Sequence, residues 1–170
     1  MLGNDLGSSM LGVSWSPIKL PSLLHWYRFD NGITVDDQDD VTRWQDQKGS
    51  NHLTSTGAAA NSPLYSSGAV MFNAAGDIMT FTSPLALGAF SIYIRSESDA
   101  DGDIELYIDG STDAVTKAGS NNHNIVTSTT FDLVTLGQPS LTSKYYEIVI
   151  CSNDLSSTDR GLLNTYLNAI

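Results

Sequence analysis

Apolar and polar positions alternate over short runs along most of this chain, and only at its end do they shift to helical spacing. Phe90-Ser91-Ile92-Tyr93-Ile94-Arg95 alternates cleanly, as a strand does. Leu23 to Phe29, Val41 to Trp44, Ala69 to Phe72, Ile78 to Phe81, Ile104 to Ile108, Asn124 to Val126 and Phe131 to Leu136 are further strand candidates. Turn chemistry separates them: Asp30-Asn31-Gly32 after the first, Asp109-Gly110 after another. Asn73 to Asp77 is expected to close a hairpin between Ala69–Phe72 and Ile78–Phe81. In the first strand, Leu24 and Trp26 are expected on one face, with His25, Tyr27 and Phe29 on the other.

Lys144 to Cys151 is β-branched and aromatic, with Tyr146, Ile148 and Ile150 expected on one face and Tyr145, Glu147, Val149 and Cys151 on the other. Both faces are largely apolar, which places this strand centrally in a sheet covered on both sides. Leu162, Leu163, Tyr166, Leu167 and Ile170 then recur at helical spacing. Ser156 is expected to cap that helix, with Asp159 reaching back to the Ser156 N–H. So short a helix, weakened by Gly161, must dock to persist. Short strands with regular turn punctuation and one closing helix predict an all-β sandwich or jelly roll.

Composition narrows the classes. The 170 residues suffice for one domain, spanning 22–170, behind an N-terminal arm, 1–21. The formal net charge of −11 opposes nucleic acid and anionic membrane as partners, since both require basic surface. No run reaches membrane-spanning length. The N-terminus has no basic region ahead of a long apolar core, so the expectation is a protein without a signal peptide, made in a cytoplasm. Cys151, the single cysteine, cannot form an internal disulfide and reads as a small buried hydrophobe. The arm carries Leu2, Leu6, Met10, Leu11 and Trp15 among glycines and serines. It is either a loosely draped terminus or a partner-binding segment lying on a neighbouring subunit.

Little of the chain speaks for chemistry. Asp99-Ala100-Asp101-Gly102-Asp103 is either a solvated hairpin turn or a calcium site built from Asp99, Asp101 and Asp103. No other cofactor is expected. Asp36 to Asp40 is a like-charge loop facing solvent. Trp44 is expected to bury, and Asp46 to bond loop N–H groups through Gly49. His52 has no second histidine nearby in sequence, and His25 and His123 point to nothing together. The three glutamates are isolated, and neither a paired-carboxylate arrangement nor a G-x-S-x-G turn is present, so no enzyme is expected. Tyr65, Tyr107, Trp15 and Asn121-Asn122 have the chemistry to stack on and hydrogen-bond a sugar.

The order of several segments resembles a known family. Leu20-Pro21-Ser22-Leu23-Leu24-His25-Trp26, then Val41 to Trp44 with Asp46, Gly49 and His52-Leu53, open the chain as laminin-G-like, concanavalin A-like jelly-roll domains open. Phe72-Asn73, Leu106-Tyr107-Ile108-Asp109-Gly110 and the ending Ile148 to Leu167 are similar too. The resemblance spans Leu20 to Ile170 and implies a concanavalin A-like jelly-roll sandwich of antiparallel strands with a short C-terminal helix. The short connection between Arg95 and Ile104 implies a reduced concave face. Members occur in phage virion proteins, in adhesion domains and as carbohydrate-binding modules. The resemblance therefore implies a non-enzymatic virion structural protein, a capsid decoration or cement protein or a tail-associated one. It would be located in the virion, as a homo-oligomer bound to other virion proteins such as a capsid or tail subunit; the alternative is a lectin-like module with a glycan as partner.

Overall fold

A computed structural model describes residues 15–55, 62–74, 76–85, 88–98, 104–108, 111–118, 121–128, 131–134 and 143–170. Among these residues thirteen strands are formed: β1 Leu23–Arg28, β2 Ile33–Val35, β3 Val41–Trp44, β4 Leu53–Ser55, β5 Leu64–Ser66, β6 Ala69–Phe72, β7 Met79–Leu85, β8 Gly88–Ser98, β9 Ile104–Ile108, β10 Ser111–Ala118, β11 Asn121–Ser128, β12 Phe131–Val134 and β13 Ser143–Cys151. Among the described residues one α-helix, α1 Ser157–Leu167, follows, and a short 3-10 helix, Pro17–Lys19, precedes β1. All pairings are antiparallel. The protein is mostly β, with two antiparallel sheets packed face to face as in a β-sandwich and one short C-terminal helix.

One sheet runs β2-β3-β4-β7-β12-β9, the other β11-β8-β13-β6-β5 with β1 also along β13. Strand β10 belongs to both: Ser111–Val115 pair with β9, and Thr116–Ala118 pair with β11. Between the layers lies the larger core, with Trp44, Leu53, Met79 and Phe81 from one sheet meeting Tyr27, Phe72, Phe90, Ile92, Ile94, Ile148 and Ile150 from the other. A second core covers the outer face of β13. There Leu20, Leu23, Trp26, Tyr93, Val149 and Cys151 pack beneath Leu155, Leu163 and Leu167. Strand β13 is thus covered on both faces, as its composition requires, and Cys151 is a buried free thiol.

Two bulges alter which residues share a face. In β13 the register slips between Tyr145 and Glu147, so two residues oppose one on β8 and Tyr145 joins Ile148 and Ile150 in the inner core. In β1 it slips between Leu23 and His25, so Leu24 packs toward the inner core while Trp26 faces the helix. Strict alternation had paired Tyr145 with Glu147 and Leu24 with Trp26. The expected hairpin around Asn73–Asp77 is also absent: β6 pairs with β5 and β13, and β7 with β4 and β12. The connection instead crosses from one sheet to the other. Asp77 holds it by accepting the N–H groups of Asn73 and Ala74 at 2.7 and 3.0 Å. The tight hairpin that does form joins β5 to β6, with Ser67 (φ 54°) and Gly68 (φ 71°) both left-handed, as a two-residue turn of this hand demands.

Helix α1 is capped as expected in position but not in every bond. Ser156 Oγ accepts the Asp159 N–H at 3.1 Å. The Asp159 carboxylate takes the Ser156 hydroxyl at 2.8 Å rather than the Ser156 N–H, being one methylene shorter than the glutamate of a full capping box. Ser156→Ala removes both bonds and is expected to cost about 1 kcal/mol, read as a lowered urea midpoint with unchanged slope. The docking stripe is narrower than the spacing implies: Leu163 and Leu167 are buried, while Leu162 and Ile170 are exposed.

Candidate functional site

Several places among the described residues bring side chains of separate elements together, and three of them are candidate sites. The first is a polar knot at the end of the sandwich where the loop after β3 meets β1. Asp46 is buried and bonds in three directions. Its carboxylate accepts the Trp26 N–H at 3.1 Å, the Lys48 N–H at 2.9 Å and His25 Nδ1 at 2.7 Å. Burial by itself would raise this carboxyl. The bonds from His25, Lys48 and Trp26 outweigh that and hold it below the usual aspartate range. An ionised carboxylate can only accept, so His25 carries its hydrogen on Nδ1. The Asp46 N–H donates to His52 Nδ1 at 3.1 Å, so His52 holds the opposite tautomer. The loop N–H that is bonded belongs to Lys48, whereas Gly49 provides room: a Cβ there would stand 3.1 Å from Asp46 Oδ2.

Trp44 is fully buried in the same knot and donates its Nε1–H to the Arg28 carbonyl at 2.7 Å. The Tyr27 ring meets it edge-on at 6.0 Å, and the Tyr27 hydroxyl donates to the Asn51 carbonyl at 2.5 Å. The structure thus joins His25, Asp46 and His52, which the sequence left apart. Both imidazole Nδ1 atoms are committed to Asp46. Among the described residues no group of three or more His, Cys, Asp or Glu side chains is arranged to hold a metal ion. The Asp36–Asp40 loop is likewise held by its own backbone: Asp36 accepts the N–H groups of Gln38 and Asp40 at 2.9 and 3.1 Å. The strand β2 takes up Thr34 and Val35, immediately before this loop.

The second place is a surface cavity of about 230 Å³ lined by Phe29, Asp30, Asn31, Ile33, Val35 and Tyr65, with Gly32 at its rim. Gly32 has φ 79°, and a Cβ there would meet the Gln45 Cβ at 2.5 Å, so the turn that presents Asp30 and Asn31 depends on glycine. Phe29 packs edge-on against Tyr146 at 5.7 Å, and Arg28 bonds Asp30 at 2.6 Å.

The third is an apolar groove of about 220 Å³ between Trp15 and the outer side of α1, lined by Trp15, Leu162, Thr165, Tyr166 and Ala169. Trp15 meets Tyr166 edge-on at 5.9 Å. Leu162 is 41% exposed and Ile170 38%. Of the other arm residues, Leu2, Leu6, Met10 and Leu11 lie outside the described residues, whereas Pro17 and Leu20 are buried against the body. The calcium candidates Asp99, Asp101 and Asp103 also lie outside the described residues. Tyr107 and Asn121-Asn122 fall on β9 and β11.

The residue that sequence reasoning passed over is Glu147. It is fully buried on the helix-facing side of β13, where Trp26 Nε1 donates to its Oε1 at 2.5 Å. The two residues are 121 positions apart, and no local pattern links them. No helix is long and apolar enough to cross a membrane among the described residues. Set against known proteins, the chain matches no family model, no curated protein and no solved structure.

Proposed function

We propose that the protein is a non-enzymatic structural protein of a virion, a decoration or cement protein or a tail-associated one, built as a concanavalin A-like jelly roll and attached to neighbouring subunits or to copies of itself. The observation that carries the reading is the apolar groove at the arm: Trp15, Leu162, Tyr166 and nearby Ile170 present unspent hydrophobic surface where an arm rich in leucine and methionine joins the body. The charge of −11 disfavours nucleic acid as the neighbour. The test is co-sedimentation with purified capsids or tails. Intact protein is expected in the pellet, and both deletion of residues 1–14 and Leu162→Ser should weaken pelleting by about tenfold or more. Deletion must stop before Pro17 and Leu20, because their burial belongs to the fold. Equal pelleting of all variants, or no association of intact protein with particles or with itself, overturns the reading.

The cavity at Phe29 and Tyr65 supports a second reading, a lectin-like module. Two aromatic rings and the Asp30 and Asn31 polar groups around about 230 Å³ suit one pyranose ring. The Asp30 carboxylate and the acidic chain favour neutral over sialylated or sulfated sugars. Retention on an array of neutral glycans that Tyr65→Ala abolishes is the expected result; a blank array, with and without calcium, overturns it.

A further inference from the structure

Glu147 sits where the terminal helix meets the sheet, and every element around it bears on its charge. Strand β1 brings Arg28 opposite it in register; the guanidinium stands 5.4 Å from the Trp26 ring centroid and bonds Asp30 on its far side. Strand β8 brings Arg95 as the register partner on the other edge, with its guanidinium 5.7 Å from the Tyr146 ring. Helix α1 brings the Tyr166 phenol, whose ring meets Trp26 edge-on at 6.4 Å. Trp26 Nε1 serves one carboxyl oxygen, while Oε2 has no partner in bonding geometry among the described residues. A buried carboxylate with one oxygen left without a partner in bonding geometry is poorly satisfied, whereas the neutral acid loses little in the same place. Burial accordingly pushes Glu147 from 4.5 up to about 7, against the opposing pull of Trp26, Tyr166 and Arg28.

We propose that Glu147 is a proton-operated latch on the terminal helix: as the neutral acid it lets α1 sit on the sheet, and as the carboxylate it lifts the C-terminal half of α1 while the sandwich stays closed. The helix yields first because it has 11 residues, includes Gly161 with open space beside it, and among the described residues packs on the outer face of the sheet. Its start is pinned separately, by the Tyr93 hydroxyl donating to Asp154 at 3.1 Å and by Arg160 bonding the same carboxylate at 2.5 Å. Lifting therefore concerns Leu163 to Leu167 and uncovers Trp26, Val149 and Cys151.

The sign follows from the raised value. The contribution to docking is complete below about 4.5, where Glu147 is protonated whether covered or uncovered, and is lost as pH rises toward about 7. Hydrogen exchange of intact protein, corrected for intrinsic rates, tests it. Protection of amides 163–167 is expected to fall by up to about tenfold per pH unit across that window and then level off, with β8 unchanged. In Glu147→Gln the helix should show no such slope. In Trp26→Phe, which removes the indole donor to the carboxylate, the levelling point should move to higher pH. A slope in Glu147→Gln equal to the parent's, a levelling point unmoved in Trp26→Phe, or loss of protection in β8 together with the helix would each overturn the latch.

Discussion

Asp46→Ala is expected to destabilise the protein by about 3–5 kcal/mol, because it leaves two inward-facing N–H groups unbonded and unseats a ring, at roughly 1–3 kcal/mol for each unsatisfied group. The N–H groups are those of Trp26 and Lys48, and the ring is His25. They belong to β1 and to the loop after β3, so the loss is felt between the two sheets rather than within one. Asp46→Asn keeps the shape and one accepting oxygen and should cost about half as much. Urea unfolding of the three proteins at neutral pH checks the order. Acid adds a second check. The Asp46 carboxyl lies below its ordinary 3.8, so its contribution is present above that value and disappears as pH falls through the lowered one. The parent should therefore lose more stability than Asp46→Ala on going from about pH 5 to about pH 2. A cost under about 1 kcal/mol at neutral pH would mean that the knot does not hold the sheets together.

Trp44→Ala is expected to cost about 3–5 kcal/mol, the range for removing a large aromatic side chain from a core. Trp44 has no exposed surface and lies against Tyr27 across the two sheets. Its indole also donates to the Arg28 carbonyl at 2.7 Å, a bond that Phe cannot make. Trp44→Phe should therefore cost about 1–3 kcal/mol, chiefly through the lost indole bond. Thermal melts separate these outcomes. If the Phe and Ala variants unfold together, the bond rather than the volume decides the site. If Phe matches the parent, the bond contributes nothing.

Segments whose signal is local were legible. Phe90 to Arg95 alternates and lies within β8, Ile104–Ile108 is β9, and the Ser156 cap marks the start of α1. Segments with weak local signal were not. Ser111–Ala118 contains Ser, Thr, Asp and Lys with few apolar positions, and it becomes the strand shared by both sheets because β9 and β11 offer it backbone partners. Leu53–Ser55 and Leu64–Ser66 are three residues each, too short for periodicity to register. Of the candidate sites, the Phe29–Tyr65 cavity was visible only as an isolated tyrosine, and the Asp46 knot only as an aspartate near a glycine.

The order of apolar and turn-forming residues alone determined that this chain would be mostly strand, would end in a docked helix, and would bury Trp44 and Cys151, because each of these depends on neighbours within a few positions. Only the tertiary structure decided the faces of β1 and β13, the crossing of the Asn73–Asp77 connection between sheets, and the company of Asp46 and Glu147. A bulge inverts the alternation of every residue beyond it, and where it falls depends on the partner strand. A buried carboxylate takes its bonds from whatever the fold brings near, here from residues up to 121 positions away.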